Sequence, residues 1–214
     1  MKRHKYEAIL FDLDGTLTEP KEGIVNGVHY ALSKMGIYEK DKEKLVAFIG
    51  PSLYESFSKF YGFSTDDAKK CVEYYRDYYS EKGINENLLM PGMDTLLDSL
   101  KKEGRKLYVA TGKPTVYAEI VLKNFDLHKY FEIVIGSNLD GSRIEKGEII
   151  AEVLKNTNCK SPVMIGDREH DIIGANENNI DSIAVTFGYG TRDVLEKYNP
   201  TYIVDSVNEI RDIL

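Results

Sequence analysis

Six short runs of almost unbroken apolar residues are spaced along this sequence, and helix-period stretches fill most of the intervals between them. The runs cover residues 6–11, 106–110, 131–136, 162–165, 182–187 and 201–204. A strand with one wet face alternates apolar and polar residues, whereas a parallel strand covered on both faces is apolar throughout. In the intervals, Met93, Leu96, Leu97 and Leu100 fall at i, i+3, i+4 and i+7, with Gly104 placed to stop the helix. Ile149, Ile150, Val153 and Leu154 form a second stripe, and Val207, Ile210 and Leu214 a third. This alternation predicts an α/β fold, a doubly wound parallel sheet.

One interval breaks the rhythm. Between residues 18 and 88 no strand-like run occurs. Ile24, Val28, Ala31, Leu32 and Met35 share one helix face that Gly36 ends, and helical stretches rich in Tyr and Phe follow at 53–61 and 68–79. A helical insertion directly after the first strand would lie above the carboxyl ends of the sheet, which in open α/β sheets is the ligand crevice. The expected organisation is an α/β core of residues 1–17 and 89–214 interrupted by an all-helical cap, 18–88. A length of 214 residues with 42% hydrophobic content suits one large domain carrying such an insertion.

The formal net charge of -7 sets up a long-range field that repels polyanions, so neither nucleic acid nor an anionic membrane is an expected partner. No segment approaches the roughly 20 apolar residues of a membrane helix, and the basic N-terminal stretch leads into an apolar run too short for a secretion signal. A cytoplasmic protein, monomer or homodimer, is the expectation. Cys71 and Cys159 are far apart and outside any ligand-like spacing, which reads as free thiols in a reducing compartment.

The first apolar run ends in Asp12-Leu13-Asp14-Gly15-Thr16. Two carboxylates at i and i+2 leaving a buried strand concentrate negative charge that a hard, oxygen-seeking cation such as Mg²⁺ can neutralise, and Gly15 permits a sharp turn. The same string could be a polar strand exit, or part of a calcium loop, although the later acidic ligands of such a loop do not follow. The second run leads into Ala110-Thr111-Gly112-Lys113-Pro114, where a hydroxyl and backbone N–H groups before a helix suit phosphate oxygens; Thr111 could equally cap that helix. The fourth leads into Gly166-Asp167-Arg168-Glu169-His170-Asp171, with Asp167 either a site carboxylate or a helix cap. Lys146, opening the helix after the third run, is either a solvated surface residue or a fixed cation. Taken together, these features all fall at the carboxyl edge of one parallel sheet, and separate caps do not account for that coincidence.

In this combination, Asp12-x-Asp14-Gly15-Thr16, Thr111, Lys146 and Gly166-Asp167-x-x-x-Asp171 resemble the four motifs of the haloacid dehalogenase superfamily, over essentially the whole chain. The stretch Phe48-Ile49-Gly50-Pro51-Ser52-Leu53 and the later Pro91-Gly92 resemble its phosphoglycolate phosphatase-like branch, and within it the bacterial 5′-nucleotidase-like proteins. The Thr-Ser-Lys-Pro familiar in that branch reads Thr111-Gly112-Lys113-Pro114 here, which keeps a backbone N–H and loses a hydroxyl. The resemblance implies a phosphatase of small phosphate esters, a nucleoside 5′-monophosphate or 2-phosphoglycolate. It implies Asp12 as covalent nucleophile and Asp14 as acid and base. It implies Mg²⁺ held by the Asp12 side chain, the Asp14 carbonyl and Asp167, with Asp171 orienting that set or reaching the metal through water. Thr111, Gly112 and Lys146 would take the phosphoryl oxygens.

A sugar phosphomutase on the same scaffold is an alternative, though residues 19–23 hold no clear His or Lys pair beyond Lys21 to support one. A non-enzymatic phospho-acceptor domain is disfavoured by the carboxylate two residues after Asp12. Dehalogenation needs neither a proton donor nor a metal, so Asp14 argues against it as well. His4, His29 and His128 read as surface or core residues, His170 as a residue of the last motif in contact with solvent near the metal rather than a ligand, and Gly188-Tyr189-Gly190 as a loop turn lacking the third glycine of a dinucleotide fingerprint. Tyr54, Phe57, Phe60, Tyr61, Tyr74, Tyr75, Tyr78 and Tyr79 read as helical packing rather than a base-stacking platform. Arg76 and Lys113 are minor candidates for a substrate anion.

Overall fold

The computed structural model describes residues 5–157 and 160–214; His4 and Cys159 lie outside them. In chain order the elements are β1 (Ala8–Phe11), β2 (Thr18–Glu19), α1 (Lys21–Lys34), α2 (Leu53–Tyr61), α3 (Thr65–Glu81), β3 (Leu88–Leu89), α4 (Met93–Lys102), β4 (Lys106–Pro114) and α5 (Thr115–Asn124). There follow β5 (Ile133–Ser137), α6 (Lys146–Asn156), β6 (Pro162–Gly166), α7 (Glu169–Glu177), β7 (Asp181–Val185), α8 (Arg192–Leu195), β8 (Tyr202–Val204) and α9 (Val207–Ile213). Backbone proximity divides the chain into two compact units, Met1–Glu19 with Leu89–Leu214, and Pro20–Leu88.

The first unit is built on a six-stranded sheet in the order β5-β4-β1-β6-β7-β8, with every neighbouring pair parallel. Its strands fall on the six apolar runs of the sequence. β1 lies inside the sheet, paired to β4 on one side and β6 on the other. All four of its residues are buried, and each of Ile9, Leu10 and Phe11 contributes about 1.5–3 kcal/mol by leaving water. Side chains alternate across a strand. Ala8 and Leu10 join Tyr108, Ala110, Met164, Ile149, Ile150, Val153 and Ala175 in one cluster, the face that α6 and α7 cover. Ile9 and Phe11 belong to the opposite face, where the Phe11 ring meets Phe131 edge-on at 6.2 Å between centroids.

From β1 the chain proceeds to β4 and β5 on one side, then returns to β6 on the other and continues outward to β7 and β8. The direction of winding therefore reverses at β1. Carboxyl ends of strands at such a reversal diverge and leave a crevice, so the ends of β4, β1 and β6 are the place for a ligand.

The second unit is helical, with α1 packed on α3 and α3 on α2. Gly36, at φ +78°, follows α1 as its pattern predicts, and Gly62, at φ +68°, ends α2. Among the aromatic residues of α2 and α3, Phe57, Tyr75 and Tyr79 are buried, Phe60 is exposed, and the others are half-buried. Phe48, Phe57, Phe60, Tyr61 and Phe63 form a chain of ring contacts, while Tyr75 stacks on Tyr79 at 5.3 Å. These are packing arrangements of a helical core. Cys71 is a buried free thiol whose pKa burial pushes up to about 12.

Candidate active site

β1 delivers Asp12 to the crevice. Phe11 stands in register with Val109 of β4 and Ile165 of β6, so Asp12 is the first residue past the last paired position, and its N–H still donates to the Ile165 carbonyl at 2.8 Å. The chain then folds back tightly. Leu17 and Thr18 donate to the Leu13 carbonyl at 2.9 and 3.0 Å, and Gly15 to the Thr18 carbonyl at 2.7 Å. Gly15 has φ +85°, and a Cβ there would stand 2.3 Å from Asp167 Oδ2. Only glycine brings the Asp12–Asp14 turn that close to the carboxylate following β6.

β4 runs past its expected end at Ala110 to Pro114. Thr111 pairs with Gly136 but the next pairing is Pro114 with Ser137, so Gly112 and Lys113 form a bulge against β5. Bulges redirect side chains at strand ends. Ser137 Oγ donates to the Gly112 carbonyl at 2.8 Å, and Thr115 Oγ1 accepts from Gly136 N–H at 2.9 Å; both bonds hold the bulge in place. Thr111 is buried in the strand and its hydroxyl accepts from Lys113 N–H at 3.3 Å, so it does not cap α5, whose N-cap is Pro114. The redirected Lys113 brings Nζ to 2.7 Å from Asp14 Oδ2, with the two side chains only 5% and 12% exposed. The other oxygen, Asp14 Oδ1, is buried with no hydrogen-bond partner among the described residues.

Lys146, at the start of α6, is buried rather than solvated. Its Nζ lies 2.9 Å from Asp12 Oδ1 and 2.8 Å from Asp171 Oδ1, and donates to the Ala110 carbonyl at 3.1 Å. Asp167, fully buried after β6, does not cap α7. That part falls to Asp171, whose Oδ2 accepts from Arg168 N–H at 3.0 Å. Asp167 Oδ2 instead accepts from Tyr189 N–H at 2.7 Å, its Oδ1 from the Thr16 hydroxyl at 3.4 Å, and the Tyr189 hydroxyl donates to Glu19.

Oxygens of Asp12, Asp167 and Asp171, all buried, lie within 4.8 Å of one another. With Asp14, four carboxylates face two ammonium groups, Lys113 and Lys146. Ionised together, they leave two buried negative charges uncompensated, which costs several kcal/mol unless the groups protonate or a cation enters. The carboxyl groups show that tension. Burial, then the charges of Asp12 and Asp171, hold Asp167 well above the usual carboxylate range. Burial raises Asp171 to about 6 despite Lys146. It also raises Asp14, with Lys113 pulling the value back and Asp12 adding to the rise. Burial opposes the Lys146 charge, but Asp12 and Asp171 outweigh it and keep its pKa above the ordinary value. An all-oxygen donor set with surplus negative charge fits a hard dication such as Mg²⁺.

Residues 9–185 match the family model described as haloacid dehalogenase-like hydrolase. The chain belongs to the haloacid dehalogenase-like hydrolase family. Within that family it falls among the phosphatases. It is 40% identical to a 5′-nucleotidase of Pseudomonas aeruginosa over 98% of this chain and 96% of that one. The crystal structure of a predicted phosphatase from Clostridium acetobutylicum superposes with a TM-score of 0.93 at 44% identity, covering 97% of each chain. The tyrosine-protein kinase PtkA of Mycobacterium tuberculosis is 33% identical over 97% of this chain and 72% of that protein.

The family resemblance in the sequence pointed to residues that the fold does bring together: Asp12, Asp14, Thr111, Gly112, Lys146, Asp167 and Asp171 all stand at the carboxyl ends of β1, β4, β5 and β6. Two participants were not legible. Lys113 looked like a minor anion contact, and its place beside Asp14 depends on the bulge. Tyr189 reaches Asp167 through its backbone N–H, which no side-chain pattern announces. Its neighbours Gly188 and Gly190 were the available signal. A Cβ on Gly188 would stand 2.4 Å from the Asp167 side chain, and one on Gly190 2.1 Å from the Asp167 carbonyl. His29 and His128 are half-buried and His170 is exposed. No helix among the described residues is long and apolar enough to cross a membrane.

Proposed function

We propose that this phosphatase hydrolyses small soluble phosphomonoesters with Mg²⁺ bound, through an aspartyl-phosphate on Asp12, and that a nucleoside 5′-monophosphate or 2-phosphoglycolate is its substrate. The observation that carries the mechanism is the separation of two neighbouring carboxylates by their partners. Asp12 is paired with Lys146. Asp14 is paired through one oxygen to Lys113 and keeps the other buried and unpartnered. Two acids whose surroundings differ in this way divide nucleophilic and proton-transfer work between them.

In the first step a carboxylate oxygen of Asp12 attacks phosphorus, the bond to the ester oxygen breaks, and Asp14 gives its proton to that departing oxygen. In the second, Asp14 takes a proton from water as the water oxygen attacks phosphorus; the bond to Asp12 breaks, inorganic phosphate leaves, and both carboxyl groups return to their starting states. Lys146 and the Thr111–Gly112 segment orient the phosphoryl oxygens. Asp12, Asp167 and the Asp14 carbonyl would hold Mg²⁺, with Asp171 beside them; the bound ion supplies charge neutralisation for the phosphoryl group. The helical unit Pro20–Leu88, inserted in the chain between β1 and α4, corresponds to the all-helical cap segment of the expected organisation. The 5′-nucleotidase name of the Pseudomonas relative supports the nucleotide choice.

The test is hydrolysis of p-nitrophenyl phosphate with Mg²⁺ and with EDTA, followed by a panel of nucleotides, 2-phosphoglycolate and sugar phosphates. Turnover that requires the metal and disappears in Asp12→Asn is expected. Undiminished activity in that variant would overturn the mechanism. Selective transfer of phosphate from ATP to protein tyrosine, with no ester hydrolysis, would move the chain toward its kinase relative.

A further inference from the structure

We infer that Lys113 is a positioning residue for proton transfer: it fixes Asp14 by its Oδ2 so that Oδ1 is the oxygen that passes the proton to the leaving group. The inference rests on the reading of Asp14 as acid and base. Three observations carry it. The bulge at Gly112–Lys113 is pinned to β5 on both sides, by the Ser137 hydroxyl donating to the Gly112 carbonyl and by Gly136 N–H donating to the hydroxyl of Thr115, which follows the bulge, so the Lys113 backbone is anchored in the sheet. Lys113 Nζ meets Asp14 Oδ2 at 2.7 Å while both side chains are nearly enclosed. Asp14 Oδ1 is buried with no hydrogen-bond partner among the described residues, which for a carboxyl oxygen is costly unless a reacting group occupies that position.

A carboxylic acid donates usefully only when its O–H lies within hydrogen-bond reach of the departing oxygen. A free aspartate turns about two side-chain torsions and presents either oxygen. Clamping Oδ2 removes that freedom and leaves one oxygen to carry the proton. In the first step the Oδ1–H bond breaks and the proton joins the ester oxygen as its bond to phosphorus breaks; in the second, Oδ1 takes a proton from the attacking water. Lys113 changes neither bonds nor charge in either step. It acts through Asp14 alone, which separates it from a lysine that grips the substrate's own anion.

That separation is measurable through the leaving group. Alkyl phosphates leave as poor alkoxides and need the proton, whereas 2,4-dinitrophenyl phosphate leaves without one. The quantity to read is kcat/KM, which covers events only up to departure of the leaving group. In Lys113→Met it is expected to fall about 10–100-fold on a nucleoside monophosphate, part of the 10²–10⁴-fold that general acid catalysis supplies, and less than about 3-fold on the dinitrophenyl ester. Lys113→Gln keeps an uncharged donor on a side chain one bond shorter and is expected to show a weaker form of the same split, and it serves if the Met variant does not fold. Equal losses on both esters would overturn the inference and make Lys113 a substrate-anion contact. Asp14→Asn is run alongside. If it shows the leaving-group split and both Lys113 variants do not, positioning alone fails; if Asp14→Asn is itself insensitive to the leaving group, the acid role of Asp14 fails and the inference falls with it.

Discussion

Replacing Lys146 by methionine, which keeps the side chain's bulk and removes its charge, is expected to destabilise the metal-free protein far more than the Mg²⁺-loaded one. Lys146 sits 2.9 Å from Asp12 and 2.8 Å from Asp171. At an effective dielectric of about 20, each contact is worth about 6 kcal/mol of attraction. Burying the ammonium costs several kcal/mol in return, and removing one partner of a buried ion pair nets a loss of about 3–5 kcal/mol. In a chain of this size each kcal/mol moves Tm by about 2–4 °C, so the variant melts roughly 10 °C lower in EDTA. A dication among the same carboxylates replaces the lost charge; because linkage stabilises the parent too, the deficit narrows by the ratio of the two affinities, about 1.4 kcal/mol for each factor of ten. It also binds Lys146→Met more tightly than the parent, because no ammonium competes for Asp12. Thermal unfolding of both proteins in EDTA and over a Mg²⁺ titration reads the effect directly. A deficit below about 2 °C in EDTA, or one that widens as Mg²⁺ is added, would refute the electrostatic account.

Gly188→Ala places a methyl group 2.4 Å from the Asp167 side chain, and is expected to weaken Mg²⁺ binding on the order of 10–100-fold, the usual effect of disturbing a ligand's support; calorimetry that finds unchanged affinity would remove Asp167 from the metal set. The raised carboxyls predict a pH dependence with a defined sign. Asp171 holds its proton up to about pH 6 in the metal-free protein, and a metal must displace protons held by the carboxyls around it, so Mg²⁺ affinity rises with pH through that range and uptake at pH 6 releases protons. Equal binding heats in two buffers of different ionisation enthalpy would contradict this.

The sheet was legible because its inner strands β1, β4, β6 and β7 are largely buried and every strand carries an apolar run of its own; α4, α6 and α9 were legible from their stripes, and α1 and α4 also from the glycines that follow them. Strand ends were less so. β4 continues through Thr111, Gly112 and Lys113 because β5 pairs with it beyond Ala110, and a pairing partner is not written in the strand's own residues. The places of Lys113 and Tyr189 beside the aspartates were not legible for the same reason: one owes its direction to a bulge, the other contributes a backbone N–H. Lys146 shows the opposite limit. A lone lysine on a helix ordinarily belongs in water, and only the surplus of aspartates at neighbouring strand ends draws it inside. The short 3₁₀ turn Lys42–Phe48 follows no apolar period that would predict it.

The central place of β1 bears on how the protein is made. Ala8–Phe11 pairs with Lys106–Val109 and Pro162–Ile165, both far downstream, and at about 5–20 residues per second a ribosome takes roughly ten seconds or more to reach the second of them. Until β6 arrives, the strand bearing Asp12 keeps at least one unpaired edge, the condition in which nascent chains stick to one another. Asp12 and Asp167 cannot meet until β6 has emerged and paired. The nascent chain therefore gathers its acidic cluster only when most of the sheet is in place, and a product that terminates before Pro162 carries Asp12 without Asp167 and Asp171.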